Sequence, residues 1–489
     1  MINLFSTEKR AKVALQPLEP GKIKMYVCGP TVYDHCHIGH ARPAVVFDTI
    51  RRYLEYSGFA VTFLSNITDV DDKIINRANS LGISCKALTT RFQDEYEADM
   101  AALGVRSPTI RPKATEHIKE MIDLIQTLMD KGVAYTTSRG VWFDVTKFAD
   151  YGRLSGKVTD DETTEHRVET DSEKRHAQDF ALWKFTKPGE PEWPSPWGAG
   201  RPGWHIECSA MSGKYCAMQL DIHGGGADLV FPHHENELAQ SEAATGKTFA
   251  QYWIHNGFIT VAKDNGEEAK MGKSKGNAFW LREAFKICGA AALRFWILGT
   301  HYRMPLLYKP ELLDSAKNSL DRLYTCLEAL DKALTDFTGA VEKLSAWNAA
   351  DAEARLTLTP GEGLSGVAVN AGQKFITAMN DDFNTPQALS ALFELVNAAN
   401  SAVAQKADAG ELAAARAMVC EILGVLGLPL SRPDTGSASA DQYLQILVDL
   451  RNAARAEKDF ATSDAIRDRL AAAGVELKDQ AGKTTWTVK

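Results

Sequence analysis

The sequence contains little cysteine and lacks the long apolar runs of membrane proteins. Eight cysteines in 489 residues are too few for a disulfide framework, and no Cys-x-x-Cys pair occurs, so any metal site has to be assembled from distant parts of the chain. No run of about 18 uncharged apolar residues is present, which excludes a transmembrane helix. Residues 1–10 show no apolar signal segment, so we expect a reducing, cytoplasmic compartment.

An excess of basic charge is also missing. Lys and Arg number 55 and Asp and Glu 63, so the formal net charge is −8, which argues against a surface that is basic all over but allows a local basic groove. Hydrophobic residues make up 45% and charged residues 24%, which is typical of a globular protein and too apolar for a disordered one. At roughly 150 residues per domain, the length predicts about three domains.

The N-terminal part has the pattern of a βαβ unit. A β-rich run at 23–28 is followed by a segment with helical spacing of apolar residues and by a second strand at 60–64. This order predicts a parallel sheet of the nucleotide-binding type. An amphipathic helix is predicted at 113–131, residues 160–203 have the composition of a large irregular insertion, and the sheet pattern resumes at 220–259.

After about residue 300 the sequence is helical in character, with a loop predicted at 356–366 and a linker at 430–440. The predicted fold class is α/β: a Rossmann-type parallel-sheet catalytic domain with an inserted connective domain, an α-helical bundle, and a small mixed α/β C-terminal module. The predicted boundaries are 1–110 and 201–262 for the catalytic domain, 111–200 for the insertion, 263–310 for a lysine-containing loop and the region after it, 311–430 for the bundle, and 441–489 for the C-terminal module.

Two segments suit a nucleoside triphosphate. In His-Ile-Gly-His at 37–40, a helix N-terminus offers N–H groups to phosphate, His37 and His40 can face one ligand, and Gly39 lets an adenine ring approach the backbone. Lys-Met-Gly-Lys-Ser-Lys-Gly-Asn at 270–277 is a cationic loop that suits a developing pyrophosphate. Taken singly, a capped helix start with surface histidines and a solvated charged loop explain the same residues.

Four residues form a possible metal donor set. Cys28 follows a strand, Cys208 lies in a patterned segment, and His233 and Glu237 are about one helical turn apart. Two thiolates, an imidazole and a carboxylate suit zinc. Spacing alone leaves the choice open, because buried cysteines without a metal explain the pattern too. The competing donors are Cys36, Cys216, His223 and His234.

The two nucleotide segments, in this order, resemble the HIGH and KMSKS motifs of class I aminoacyl-tRNA synthetases. Longer strings are similar to the cysteinyl-tRNA synthetase family, namely Cys-Gly-Pro-Thr-Val-Tyr-Asp at 28–34, Asn-Ile-Thr-Asp at 66–69, Gly-Trp-His-Ile-Glu-Cys-Ser-Ala-Met at 203–211, Phe-Pro-His-His-Glu-Asn-Glu at 231–237 and Asp-Phe-Asn-Thr-Pro at 382–386. The chain departs from the family pattern at Gly272, where the family usually has serine, and at Lys275, where it usually has leucine. We expect a looser, more charged loop that retains activity.

The resemblance implies a cysteine–tRNA ligase. Cysteine and ATP would form cysteinyl-adenylate and pyrophosphate, and cysteine would then pass to the 3′-terminal ribose of tRNA(Cys). It implies catalytic roles for His37, His40, Lys270 and Lys273, and ATP contacts, with Mg²⁺ on the phosphates, from His37, Gly39, His40, Asp228 and Lys273. It also implies cysteine contacts from Gly29, Thr31, Thr68, Trp204 and His223, and one Zn²⁺ held by Cys28, Cys208, His233 and Glu237.

Zinc would give this family its selectivity. A plain pocket separates cysteine from serine by only about 100-fold, whereas a zinc ion can bind a thiolate that serine cannot imitate. The insertion then needs no editing domain, and His234 is expected to face away from the metal. For Trp204, a role as a core aromatic residue is the alternative.

The resemblance also assigns the acceptor end of tRNA to 111–200, the stem to 263–310 and the anticodon to 441–489. The enzyme is expected to be a monomer without membrane contact.

Other functions have weaker support. A ligase of the same fold that joins cysteine to an amino sugar would lack the C-terminal module that this chain has. A zinc hydrolase would need Glu235 or Glu237 as its base and leaves the lysine segment unexplained. A non-catalytic tRNA-binding relative would be expected to have lost the histidine pair or the lysines, and this chain keeps both.

Overall fold

Strands and helices alternate in the first part of the chain. The structure is a computed structural model that describes residues 1–157, 173–262, 268–272, 276–339, 342–432, 437–456, 459–480 and 483–488. The elements up to residue 157 are β1 (Asn3–Ser6), β2 (Ala11–Ala14), β3 (Lys22–Val27), α1 (Ile38–Tyr56), β4 (Ala60–Ser65), α2 (Asp72–Leu81), α3 (Cys85–Ala102), α4 (Ile118–Asp130), β5 (Ala134–Thr137) and β6 (Gly140–Phe143).

The second part of the chain again contains both strands and helices, and two short helices lie near its end. Its elements are β7 (Phe180–Phe185), β8 (Gly200–Pro202), α5 (Trp204–Cys216), β9 (Leu220–Gly226), a π-helical turn (Val230–His234), α6 (Glu235–Thr245), β10 (Ala250–Asn256), β11 (Ile259–Ala262), β12 (Glu268–Lys270), α7 (Leu281–Cys288), α8 (Ala290–Leu298) and β13 (Leu306–Tyr308).

The remaining sequence is mainly helical. Its elements are α9 (Pro310–Ala333), α10 (Ser345–Ala349), α11 (Ala352–Arg355), α12 (Gly363–Asn380), α13 (Thr385–Ala404), α14 (Ala409–Leu426), α15 (Ser437–Ala456), α16 (Phe460–Ala472), β14 (Val475–Gln480) and β15 (Lys483–Val488). The chain divides into two units, Met1–Leu430 and Ser431–Lys489. Within the described ranges, no helix combines the length and apolar character needed to cross a membrane.

A four-stranded parallel sheet positions the site. Its strand order is β10-β9-β3-β4, and Ile222 on β9 pairs with Met25 on one side and Tyr252 on the other. The carboxyl ends of β3, β9 and β10 therefore meet at one edge, where ligands bind in open α/β sheets. The predicted α/β fold class is confirmed, including the helical bundle and the small mixed α/β unit at the C-terminus.

The insertion is more regular than its composition suggests. Strands β5, β6, β7 and β8 form an antiparallel sheet, in which Phe143 pairs with Phe180 and Trp183 with Pro202. The prediction of an irregular segment over 160–203 is therefore wrong for β7 and β8, while 158–172 lie outside the described residues. Composition missed β7 because it is buried over most of its length and shows no alternation of polar residues.

Two helix boundaries also differ from the prediction. The predicted helix at 113–131 begins as an α-helix only at Ile118, after a 3₁₀ turn at Ala114–Glu116. The predicted loop at 356–366 ends earlier, because α12 begins at Gly363, where Glu411 accepts a hydrogen bond from the Ser365 N–H. A carboxylate from another helix thus accepts a hydrogen bond from an N–H group in the first turn of α12, which has no partner within its own helix.

A buried ion pair connects the parallel-sheet part to the helices after it. Arg294 on α8 is fully buried and donates to Asp48 of α1 at 2.6 Å, as well as to the carbonyls of Leu103 and Leu426. Burial by itself raises the pKa of Asp48, but Arg294 and Arg52 outweigh this effect and lower the pKa below its usual value. Asp48 is therefore a carboxylate at neutral pH.

The first prediction concerns this pair. We expect Arg294→Met to lower the free energy of unfolding by about 3–5 kcal/mol at pH 7, because it leaves a buried carboxylate without its main partner. Since the folded pKa of Asp48 is depressed, the stabilisation is present above about pH 4 and is lost as pH falls through the folded pKa. Urea unfolding at several pH values measures this difference. A difference that does not shrink in acid would instead indicate lost packing.

Candidate active site

The histidine segment begins helix α1. His37 is the N-cap residue: its Nδ1 accepts from the Gly39 N–H at 3.0 Å, and His40 Nδ1 accepts from the His37 N–H at 3.2 Å. The two rings lie 4.0 Å apart between centroids. A Cβ at Gly39 would come within 2.6 Å of the His37 ring, so a side chain here would push that ring out of its capping position. The cap is therefore a second reason for glycine at this position, besides the predicted approach of an adenine ring.

The segment after the lysine motif pairs with the segment before α1. The Ile38 N–H donates to Phe279 O at 3.0 Å, and the Leu281 N–H donates to Cys36 O at 2.9 Å. Cys36, a competing metal donor in the sequence, is thereby fixed in this backbone pairing. The two nucleotide motifs are therefore joined directly through their flanks.

Lys270 lies at the end of β12 and faces Asp228. Its Nζ lies 3.3 Å from Asp228 Oδ2 and 4.0 Å from the centroid of the Phe258 ring. The Asn277 side chain joins the two ends of the motif, because it accepts from the Gly272 N–H at 2.8 Å and donates to Lys270 O at 3.2 Å. Lys273 and Lys275 lie outside the described residues.

The predicted metal donors lie together at the sheet edge. Cys28 follows β3, Cys208 is on α5, His233 lies in the π-helical turn and Glu237 is in the first turn of α6. Cys28 Sγ lies 3.7 Å from Cys208 Sγ and 3.2 Å from Glu237 Oε1, and His233 Nε2 lies 3.0 Å from the same oxygen. All four donor atoms lie within 4.8 Å of one another.

The donors carry strongly shifted pKa values. Burial raises the pKa of Cys28 well above its usual value, while a hydrogen bond from Cys28 lowers the pKa of Cys208 to about 6. Burial also disfavours charge on His233 and Glu237. Their mutual attraction nevertheless outweighs it, raising the pKa of His233 to about 10 and lowering that of Glu237 well below its usual value, with His223 as the largest contributor to the latter. The cluster is therefore poised to hold buried charge.

These four residues fit a zinc ion. Two sulfur ligands at about 2.3 Å from a tetrahedral zinc lie about 3.8 Å apart, close to the 3.7 Å between the two sulfurs here. The set contains the soft and borderline donors that zinc prefers. A bound dication would compensate the thiolate and carboxylate charges that the protein alone buries.

A second set of donors shares two of these residues. Cys28, His223, His234 and Glu237 also lie within 4.8 Å of one another. His223 Nε2 is 2.9 Å from Glu237 Oε2, while His234 Nδ1 is hydrogen-bonded to His255 Nε2 at 2.7 Å. His234 Nε2 is buried and 3.9 Å from Glu237 Oε1, so the expectation that His234 faces away describes only one of its two ring nitrogens.

The residues predicted to contact the cysteine substrate fall into two groups. Gly29, Thr31 and Trp204 line an open cavity, and the Trp204 indole stacks on the His233 ring with centroids 4.1 Å apart. Thr68 and His223 are buried and are not among the residues that line it. A Cβ at Gly29 would lie 1.7 Å from a backbone oxygen of the neighbouring loop, so only glycine fits there.

This cavity has a volume of about 480 Å³ and unites the site. Besides the three residues above, its lining includes Cys28 from the metal cluster, His37, Gly39 and His40 from the histidine segment, and Asp228 and Lys270 from the nucleotide side. Cys208, His233 and Glu237 lie behind this wall and are buried. A ligand in the cavity can therefore touch the nucleotide residues and one metal donor at once.

Three polar residues that sequence reasoning did not single out support the site. Asn66 Oδ1 accepts from the Gly29 N–H at 2.8 Å, and Glu207 accepts from the Thr68 hydroxyl at 3.0 Å. His205 Nδ1 lies 3.0 Å from His233 Nδ1. All three occur inside the longer motif strings, which was the available signal.

Two residues on β10 also belong to the cluster. Trp253 stacks on the His223 ring with centroids 4.6 Å apart, and His255 bonds His234. Their spacing of two residues on a strand places both on one face of the sheet. This alternation is visible in the sequence, but it does not reveal which helix the face meets.

Known proteins resemble this chain over most of its length. The family model described as tRNA synthetases class I (C) catalytic domain matches residues 14–318, and the DALR domain matches residues 374–431. A Cysteine--tRNA ligase of Geobacter sulfurreducens is 48% identical over the full length of both chains. One of Magnetococcus marinus is 47% identical, over 100% of this chain and 98% of the relative.

Solved structures share the fold at low sequence identity. A methionyl-tRNA synthetase of Mycobacterium tuberculosis, solved with methionyl-adenylate, has a TM-score of 0.56 and 16% identity, over 83% of this chain and 90% of that one. A LeuRS of Agrobacterium radiobacter, solved in a ternary complex with tRNA and LeuAMS, has a TM-score of 0.59 and 12% identity, over 84% and 85%. At these identities the likeness concerns the fold alone.

The second prediction tests the donor cluster with two buried cysteines of one helix. We expect Cys208→Ser to weaken Zn²⁺ binding by more than about 100-fold, because loss of a ligand exceeds the usual effect of an outer-shell change. Cys216→Ser is the matched control, since Cys216 is also buried on α5 but is not in the cluster. Competition with a chromophoric chelator measures both. Equal losses in the two variants would contradict the assignment.

Proposed function

The chain belongs to the cysteine--tRNA ligase family of class I aminoacyl-tRNA synthetases, and on this premise we propose that the cavity performs both steps of cysteine attachment to tRNA(Cys), with a zinc ion selecting cysteine over serine. The enzyme is an ATP-dependent, AMP-forming class I synthetase whose substrates are cysteine, ATP and tRNA. The metal, the residue roles and the tRNA contacts are the proposed part.

The observation that carries the proposal is the position of Cys28. Its side chain belongs to the donor cluster and also lines the cavity that contains His37, His40 and Lys270. An amino acid whose sulfur approaches Cys28 and the metal can thus extend its carboxylate toward the nucleotide residues. This arrangement favours activation of a thiol amino acid over chemistry confined to the metal.

In the proposed activation step, the cysteine carboxylate attacks the α-phosphate of ATP, a bond forms between carboxylate oxygen and phosphorus, and pyrophosphate leaves. His37 and His40 at the start of α1, together with Lys270 and Lys273, bind the phosphates and stabilise the charge that develops, with Mg²⁺ on the phosphates. Gly39 and Asp228 hold the adenosine end. Because Asp228 pairs with Lys270 here, ATP has to separate them when its ribose and phosphates bind.

Selection of the amino acid rests on the donor cluster. A zinc ion held by Cys28, Cys208, His233 and Glu237 would supply a borderline-soft Lewis acid that favours a thiolate over a hydroxyl. Gly29 brings its backbone close to the substrate, Trp204 covers His233, and Thr68 and His223 stand behind the wall as buried polar support. In the transfer step, the terminal ribose hydroxyl of tRNA attacks the adenylate and AMP leaves. No covalent enzyme intermediate is required.

The domain assignment is also proposed. Segments 1–110 and 201–262 form the catalytic domain, 111–200 the connective segment for the acceptor end, 263–310 the lysine motif and stem contact, 311–430 the bundle, and 441–489 the anticodon module. The small C-terminal unit is held by Arg451 and Arg455, which both pair with Asp479. We expect the enzyme to act as a monomer in the cytoplasm.

The third prediction is the decisive assay. Zinc-loaded enzyme is incubated with ATP, unfractionated tRNA and radiolabelled cysteine, with excess serine as competitor. We expect acid-stable labelling of tRNA that serine does not reduce, and loss of labelling when the metal is removed.

Other outcomes of this assay would identify rival functions. Activation of cysteine without transfer to tRNA, followed by labelling of an amino sugar when one is added, would favour the amino-sugar ligase. Competition by serine at comparable concentration would contradict selection by the metal. Failure to activate cysteine at all would contradict the proposed role of the two nucleotide segments.

The fourth prediction concerns Gly272, which departs from the family pattern. Among the residues that the structure describes, which exclude 273–275, no atom lies within 4 Å of a Cβ placed there, so Gly272→Ser meets no clash with them. We expect it to raise kcat/KM for ATP in pyrophosphate exchange by up to about fivefold, because serine reduces backbone freedom that is worth roughly 0.4–1 kcal/mol.

Gly276→Ala is the matched control for this substitution. Gly276 has a φ of +67°, in the left-handed region, so a side chain there is strained and we expect kcat/KM to fall. A decrease in both variants would indicate that the mobility of the motif, and not its order, limits activation.

A further inference from the structure

Arg42 lies on α1 just after the histidine segment and makes an unusual set of contacts. Its side chain is 1% exposed, and its guanidinium donates to Phe258 O at 2.6 Å, to Tyr302 O at 3.2 Å and to Met304 O. In the described ranges no carboxylate lies within ion-pair distance of it. A buried charge that binds only carbonyl oxygens is expensive, so its position calls for an explanation.

The carbonyls that Arg42 binds form a junction between two backbone segments. Gly257 N–H donates to Tyr302 O at 2.8 Å, and Leu306 N–H donates to Phe258 O at 2.9 Å. Both acceptor oxygens of this junction are therefore shared with Arg42. A Cβ at Gly257 would come within 2.6 Å of Met304 O, which shows how closely the two segments approach.

The same junction carries the start of the lysine motif. The Phe258 ring lies under the ammonium group of Lys270, with 4.0 Å from Nζ to the ring centroid. The next residue, Ile259, accepts a hydrogen bond from the Met271 N–H at 2.9 Å, and Thr260 is paired with Lys270 across β11 and β12. The location of the Lys270 side chain thus depends on the backbone that Arg42 holds.

We propose that Arg42 is a positioning residue for adenylate formation. It holds the junction at Phe258, and the junction in turn holds Lys270 opposite the histidine segment of α1, the helix that also carries Arg42. The inference rests on the proposed role of Lys270. It assigns to Arg42 no contact with the reacting atoms. It predicts that Arg42 acts on activation through Phe258, and that this effect can be separated from its effect on folding.

A double-mutant cycle tests this dependence. The variants Arg42→Lys, Phe258→Leu and the double variant are compared by ATP–pyrophosphate exchange in full-length, zinc-loaded enzyme. We expect Arg42→Lys to lower kcat about tenfold and Phe258→Leu about threefold, with an unchanged KM for cysteine. The double variant should be no slower than Arg42→Lys alone, because Phe258 can no longer contribute once its junction is loose.

The fifth prediction includes a matched control for burial. Arg294 is likewise fully buried and also donates to backbone carbonyls, but it does not line the cavity. We expect Arg294→Lys to lower thermal stability while leaving kcat unchanged, so that combining it with Phe258→Leu should lower kcat as much as Phe258→Leu does alone. If Arg42→Lys does not fold, Gly257→Ala takes its place in the cycle, because it separates the same two segments.

The outcomes of these measurements separate the inference from its premise. Multiplying effects of Arg42→Lys and Phe258→Leu, or an unchanged kcat in Arg42→Lys, would overturn it. Lys270→Met distinguishes the premise from the inference: normal activation in that variant would refute the proposed role of Lys270. If Lys270→Met is slow while the cycle shows no coupling, the function stands and the positioning role of Arg42 is refuted.

Discussion

The buried carboxylate of Glu237 holds together several separate elements of the N-terminal half of the structure. One of its oxygens lies near the Cys28 sulfur and the His233 ring, and the other near the His223 ring. These partners come from the end of β3, the π-helical turn and β9, and Glu237 itself comes from α6. A carboxylate buried without such partners would cost several kcal/mol, so these contacts stabilise the observed relative position of the four elements.

This constraint explains how a few side chains connect metal and nucleotide chemistry. Cys28 follows β3 directly, and the histidine segment follows Cys28 after a short turn, so a single strand end supplies both a candidate metal donor and part of the cavity wall. Lys270 comes from β12, a different part of the chain, and its ammonium group packs against the Phe258 ring. Each group is held by backbone contacts to a neighbouring element, which fixes it before any ligand binds.

Much of the architecture could be predicted from local signals. The alternation of strand and helix around 23–64 predicted the parallel sheet, and the capping geometry of His37 agrees with the predicted helix start. The donor set could not be chosen on spacing, because the decision depends on which strands are neighbours. Cys36 is instead held in the pairing before α1, and Cys216 ends α5 away from the cluster. Arg42 and Phe258 escaped notice for the same reason: their relation passes through backbone carbonyls, which leave no pattern in the sequence.

The distance along the chain between the two cysteines of the cluster has a consequence for how the enzyme is made. Cys28 and Cys208 are 180 positions apart. At roughly 5–20 residues per second, a ribosome completes Cys208 about 9–36 s after Cys28, and Glu237 later still. Throughout this interval Cys28 lacks the second sulfur of the proposed cluster, because the cysteines made in between, Cys36 and Cys85, do not belong to it. An ion bound by the proposed donors could therefore find a complete site only after the sheet has closed, so its acquisition would be a late event in biosynthesis.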